Sequence, residues 1–180
     1  RNVFRSTSAH NTFQINNAEQ NRLGPGLFQM KDDTKTIVTE YDLCRLKAHH
    51  SGFKSLQRHT ALYDREFLLA EDSLTIHDSL SALENCDSIV WHFHLAPYLI
   101  AENTYDGVRI LSADGRSLCR VLPFRGANCI IKKVMHSVGY GEFSEAYTLH
   151  FSCRTSNTKV NSFLFNLTWS YSSAEGQNIE

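Results

Sequence analysis

The stretch Ser88-Ile89-Val90-Trp91-His92-Phe93-His94-Leu95 constrains the fold most, because its residues alternate without a break. Ile89, Trp91, Phe93 and Leu95 fall on one side and Val90, His92 and His94 on the other, the period of two that separates the faces of a strand. A helix would scatter the same apolar groups around its axis. The stretch predicts the central core strand of a sheet, ended by Pro97, which offers no N–H to a ladder. Shorter stretches repeat the pattern: Thr12–Asn16, Thr36–Cys44, Leu74–Asp78, Ala146–Phe151 and Val160–Trp169. Val108–Ser112 and Ser117–Leu122 around Asp114-Gly115 make the clearest hairpin. With turns at Gly24-Pro25-Gly26, Asp106-Gly107, Arg125-Gly126 and Gly139-Tyr140-Gly141 and no sustained helical period, residues 1–180 predict a single all-β domain. Its architecture is a multi-stranded antiparallel β-sandwich with little or no helix.

Several local expectations follow. Lys31–Thr34 reads as a hairpin tip after a short strand Leu27–Met30, and Arg65-Glu66 as a tip between Ala61–Tyr63 and Phe67–Leu69. Asp78-Ser79 begins a turn. In Thr36–Cys44 the less polar face is Ile37, Thr39, Tyr41 and Leu43, with Glu40 and Asp42 solvated opposite. Lys132-Lys133 reads as protection on an edge or outer face. The tail from Ser172 to Glu180 is polar and reads as frayed.

Composition narrows the function. At 42% hydrophobic and 21% charged, 180 residues can bury a real core. A formal net charge of -1 provides no bulk basic field, so nucleic acid is not an expected partner and recognition of an acidic sugar must be local. Cys44, Cys86, Cys119, Cys129 and Cys153 are odd in number and widely spaced, which predicts reduced, unpaired thiols; Cys119 and Cys129 flank a turn, but nothing requires them to pair. There is no apolar run of membrane-spanning length, no phosphate-cradling glycine loop and no nucleophile elbow.

Three groups of histidines carry the candidate chemistry. His10 sits at the mouth of the first strand in a turn that Asn11 and Thr12 can hold through side chain to backbone bonds, a place for a metal ligand or for an ordinary turn histidine. His92 and His94, two apart on one strand face, could reach one ion or simply pack on a polar sheet face; no carboxylate or cysteine lies close in sequence to complete a shell, which favours packing. His49-His50-Ser51-Gly52 reads as a loop whose adjacent imidazoles point apart and make poor co-ligands.

The wording Arg5-Ser6-Thr7-Ser8-Ala9-His10-Asn11-Thr12, followed by an alternating strand and Gln20, resembles the start of the C-terminal β-sandwich of the heparinase II/III-like polysaccharide lyases. Partial matches follow in order: His50–Phe53, Arg58-His59 leading to Ile76-His77-Asp78, His92–Pro97 and Ser137–Gly141, together covering most of the chain. The resemblance implies a supersandwich-like C-terminal domain of a larger lyase, with the catalytic tyrosine on an N-terminal helical toroid and no catalytic residue in this chain. The family's zinc ligands come from a His-x-His-x-Asp segment, an Asp before a Pro-Gly turn, and the histidine of Ala-His-Asn-Thr. Only the last has a counterpart here, His10. Zinc is thus implied for the intact parent enzyme, with none held tightly by this chain alone. Arg5 and Asn11 are the implied substrate-cleft residues. The implied partners are an acidic, uronate-containing polysaccharide cleaved by β-elimination and the helical domain of the same parent chain, and the implied location is periplasmic or secreted. The alternative is a non-catalytic carbohydrate-binding or scaffolding sandwich.

Overall fold

Alternating apolar residues draw the chain into two antiparallel sheets. In the computed structural model the described residues are 3–26, 29–53, 62–81, 86–139, 141–155 and 162–169. After two single-turn 3-10 helices, Val3–Arg5 and Thr7–Ala9, come β1 (Phe13–Ile15), β2 (Ile37–Tyr41), β3 (Arg45–His50), β4 (Tyr63–Leu69), β5 (Ser73–Leu80) and β6 (Ser88–His94). There follow β7 (Ile100–Asn103), β8 (Val108–Leu111), β9 (Ser117–Leu122), β10 (Asn128–Gly139), β11 (Glu142–Arg154) and β12 (Ser162–Thr168). A small sheet runs β1-β6-β11-β10 and a large one β2-β3-β4-β5-β12-β9-β8-β7.

β6 is the inner strand its alternation predicts. Trp91 is matched in register by Phe13 of β1 on one side and Phe151 of β11 on the other. Its ring, with no exposed surface, meets Phe163 and Phe165 of the large sheet at centroid distances of 4.6 and 5.6 Å. Burial of such aromatic groups supplies the largest apolar contribution per residue to the core. Trp91 Nε1 also donates to Asp78 Oδ2 at 2.8 Å, so the same residue joins the sheets by a polar bond. Asp78 is fully buried and takes Arg65 through both carboxylate oxygens, at 2.6 Å each. The hairpin at Asp114-Gly115 forms between β8 and β9, Gly115 taking φ +83°, where a side chain would be strained. β10, carrying Lys132 and Lys133, is the edge of the small sheet. All five cysteines are unpaired.

Other expectations are overturned by contacts between distant residues. Arg65-Glu66 is no hairpin tip: β4 runs straight through it, because Arg65 lies opposite its ion-pair partner Asp78 in the β4–β5 register. Asp78-Ser79 is likewise inside β5, which continues to Leu80. His49 and His50 belong to β3, not to a loop; the His50 ring stacks near Tyr63 and Phe13, at 5.2 and 6.3 Å, and burial pushes its pKa down to about 4. Lys31–Thr34 is not a tip between two strands, since Asp33 is buried and its carboxylate is gripped by Arg22 at 2.7 and 2.8 Å. β2 is an edge strand exposed along its whole length, so Ile37 and Tyr41, with Leu43 beyond its end, form no buried face. The expectations for Leu27-Phe28, Arg58-His59, Ala61 and the tail from Ser172 to Glu180 lie outside the described residues.

Candidate functional site

The segment from Val3 to Asn11 packs against β1 and β6 of the small sheet, and a cleft opens on each side of it. The first, of about 240 Å³, is lined by Arg5, Thr7, His10, Thr12, Glu19 and Gln20, among others. Its floor is held by polar bonds. Glu19 Oε2 accepts from the Thr7 backbone N–H and from Thr7 Oγ1, both at 2.6 Å. Thr7 Oγ1 in turn accepts from Gln20 N at 2.9 Å, and Gln20 Nε2 donates to Thr12 Oγ1 at 2.8 Å. Arg5 Nη1 donates to Gly26 O at 3.1 Å and Nη2 to Gln29 O. His10 is exposed, and its ring makes no hydrogen bond among the described residues.

The structure thus brings Arg5 and His10 to one cleft, while Asn11 looks elsewhere. Asn11 Oδ1 accepts from His94 N at 2.7 Å and its carbonyl from Arg65 Nη1 at 2.7 Å, which ties the turn after His10 to both sheets. The sequence predicts that Asn11 and Thr12 hold the turn locally; instead Asn11 anchors it to a distant strand, and Thr12 Oγ1 takes the Gln20 side chain. A zinc ion is not accommodated by these residues alone. Among the described residues no group of three His, Cys, Asp or Glu could hold a metal, and Glu19, the carboxylate of the cleft, is already engaged by Thr7.

The second cleft, of about 330 Å³, is lined by Val3, Phe4, Ser8, His94, His136 and His150, among others. Beneath it lies a histidine cluster. His150 of β11 is directly opposite His92 in the β6–β11 register, with His92 Nδ1 and His150 Nε2 3.4 Å apart. His92 Nε2 donates to Gln14 Oε1 at 3.1 Å, which leaves Nδ1 as the acceptor for the His150 N–H. His94 Nε2 donates to Ser8 O at 2.9 Å and its Nδ1 accepts from Thr148 Oγ1 at 2.7 Å. Burial lowers all three pKa values, those of His92 and His150 to about 4, so the cluster is neutral at pH 7. With both nitrogens of His92 and of His94 occupied, this pair is a packed, hydrogen-bonded feature of the sheet and not a chelating one. His150 went unnoticed in the sequence. The alternation of Ala146–Phe151 puts it on the polar face with Thr148, but only register sets it against His92.

The order of strands, the Val3–Asn11 cap and the His10 turn can be placed against known proteins. Residues 1–161 match the family described as heparinase II/III-like, C-terminal. The chain belongs to this family. No curated protein matches. Solved structures do. A heparinase III gene product is similar at 15% identity and TM-score 0.66, over 97% of this chain and 26% of that one. Another structure of heparinase III gives 11% and 0.64, over 92% and 24%. The heparan sulfate lyase HepC from Pedobacter heparinus gives 13% and 0.63, over 93% and 25%. At these identities the likeness concerns the fold, and this heparinase II/III-like domain spans about a quarter of the length of the structures it matches.

Proposed function

We propose that this chain is the C-terminal β-sandwich of a polysaccharide lyase that cleaves acidic, uronate-containing glycans by β-elimination. The observation that carries the reading is the family match over residues 1–161. In the reaction a base takes the proton α to the uronate carboxylate, the carbon–carbon double bond forms, and the glycosidic oxygen departs with a proton from an acid. The base belongs to the helical domain of the parent chain in this reading. His10 would supply one zinc ligand in the intact enzyme, with the others coming from outside these residues, and the ion would serve to hold the cleft's shape. Two carbonyls fix the Arg5 guanidinium, which retains further N–H donors and its charge for a substrate carboxylate. Asn11 serves the substrate cleft indirectly, through the turn it ties down. The reading also places the protein in the periplasm or outside the cell.

The test is direct. The intact parent enzyme and the 180-residue chain are each incubated with a panel of uronate glycans while the absorbance of the unsaturated product is followed. Product from the parent and none from the chain is the expected pair of results. A parent enzyme inert on every uronate glycan of the panel would sink the lyase reading.

A further inference from the structure

Between the β7–β8 turn and the β9–β10 turn lies a third cleft, of about 380 Å³, lined by Asn103, Thr104, Tyr105, Phe124 and Arg125, among others. None of its residues takes part in the sites described above. Its walls are preformed. A Cβ on Gly107 would stand 2.2 Å from the Val121 carbonyl oxygen, so this turn lies against β9 at a distance only glycine permits. Thr104 N donates to Gly107 O at 2.9 Å and closes it. On the other wall, Ala127 N donates to Phe124 O at 3.2 Å, and Gly126 takes φ +88°. Phe124 anchors that wall from beneath, packed edge-on against Trp91 and Phe163 at 5.2 and 5.0 Å.

Two side chains on this rigid base are unexplained by packing. Tyr105 is the most exposed large apolar side chain among the described residues, at 106%. Arg125 is exposed and has no ion-pair partner among the described residues. The cleft's carboxylate, Asp106, is taken by Arg120. Arg120 in turn lies opposite Arg109 in register, and Arg109 opposite Glu102. Like charges face to face cost stability in a sheet. The charged residues of the lining are Asp106, which Arg120 holds from outside it, and Arg125, so Arg125 is the charge left open to a ligand.

We propose that this cleft binds an acidic sugar residue of a polysaccharide, with Tyr105 as the stacking platform and Arg125 pairing with the carboxylate. An exposed aromatic ring gives a sugar's C–H face a rigid contact at little entropic cost, and a guanidinium fork matches a carboxylate with two parallel bonds. Asn103 and Thr104 add polar groups at the rim. The backbones of both turns are already in place, so binding has to order only the Tyr105 and Arg125 side chains. A second hold on the same polymer would raise its effective concentration at a reaction site elsewhere. The choice of a uronate rests on the lyase reading; the site itself is separate from the His10 cleft.

The probe is an unsulfated hexasaccharide of alternating glucuronate and N-acetylglucosamine, titrated into the ¹⁵N-labelled 180-residue chain, with its carboxyl-reduced counterpart as control. Amide shifts are expected at 103–107 and 124–127. Tyr105→Ala and Arg125→Ala should each weaken Kd by about tenfold, with part of the affinity kept by Arg125→Lys. Both variants should keep native amide spectra away from the cleft, since neither side chain is packed. Absence of shifts in the cleft, unchanged affinity in both alanine variants, or equal binding of the carboxyl-reduced probe would each overturn the proposal. Elimination by the parent enzyme beside unchanged affinity in the variants sinks this site and leaves the lyase reading standing. Binding here with no elimination by the parent does the reverse.

Discussion

His10 and the trio His92, His94 and His150 are the same residue type within one small region, yet the structure gives them opposite characters. His10 lies exposed at the rim of its cleft with no bond to its ring among the described residues, while the trio is buried or half-buried and bonded to Gln14, Ser8, Thr148 and one another. The difference teaches that an imidazole's availability is decided by what its nitrogens already hold, not by its spacing from another histidine. The pair with metal-like spacing is the committed one. The solitary histidine is the one left open to a ligand.

The strongest way to break this contrast is to cut the turn between the two groups. Arg65 neutralises the buried Asp78 and donates to the Asn11 carbonyl, so Arg65→Ala leaves a buried carboxylate with no counter-charge and only the Trp91 N–H to hold it. Urea unfolding should show a loss of about 3–5 kcal/mol. The His10 ring resonances should shift as well, because its turn loses one of its two ties. A loss below about 1 kcal/mol would mean that Asp78 is solvated or paired otherwise.

Acid offers a second route. His92 and His150 titrate near 4 in the folded chain, against about 6.5 when unfolded. Below the unfolded value the unfolded state binds more protons, so stability is full above about pH 6.5 and falls as pH drops toward 4, by at most about 1.4 kcal/mol per pH unit for each group. Groups facing this pair are Lys132 from β10, His94 from β6 and Gln14 from β1. His50, half-buried on β3, adds a slope of the same sign. Urea midpoints between pH 7.5 and 4 should show this dependence, and His150→Gln should flatten it. An identical slope in that variant removes His150 from the titrating set.

His10 gives the smallest effect in this chain. An exposed ring without a bond should cost no more than about 0.5 kcal/mol on replacement by alanine. In the intact parent enzyme the same change should lower both zinc content and melting temperature. Unchanged zinc in the parent variant excludes His10 as a ligand. The thiols extend the contrast. Cys44 is exposed, while burial pushes Cys86 and Cys153 up to about 11, so a thiol reagent should modify Cys44 first and reach all five only after unfolding. Fewer than four free thiols in the unfolded, unreduced protein would contradict the unpaired assignment.

The sequence by itself determined the local periodicities: the alternation that makes Ser88–His94 a strand, the turn chemistry that folds β8 onto β9, and the all-β class that follows from repeating both. It also determined the Ala-His-Asn-Thr wording around His10, from which the family is legible. These are set by backbone geometry within a few residues, which every chain carries into any fold. Tertiary structure alone decided that Arg65-Glu66 stays in a strand, that His50 is a half-buried strand residue packed on Tyr63, and that Ile37 and Tyr41 lie on an open edge. It alone brought His150 to His92 across 58 residues, and Arg125 to Tyr105 across one cleft. Register and burial depend on which distant strand arrives alongside, and that choice is made by the packing of the whole core rather than by any local pattern.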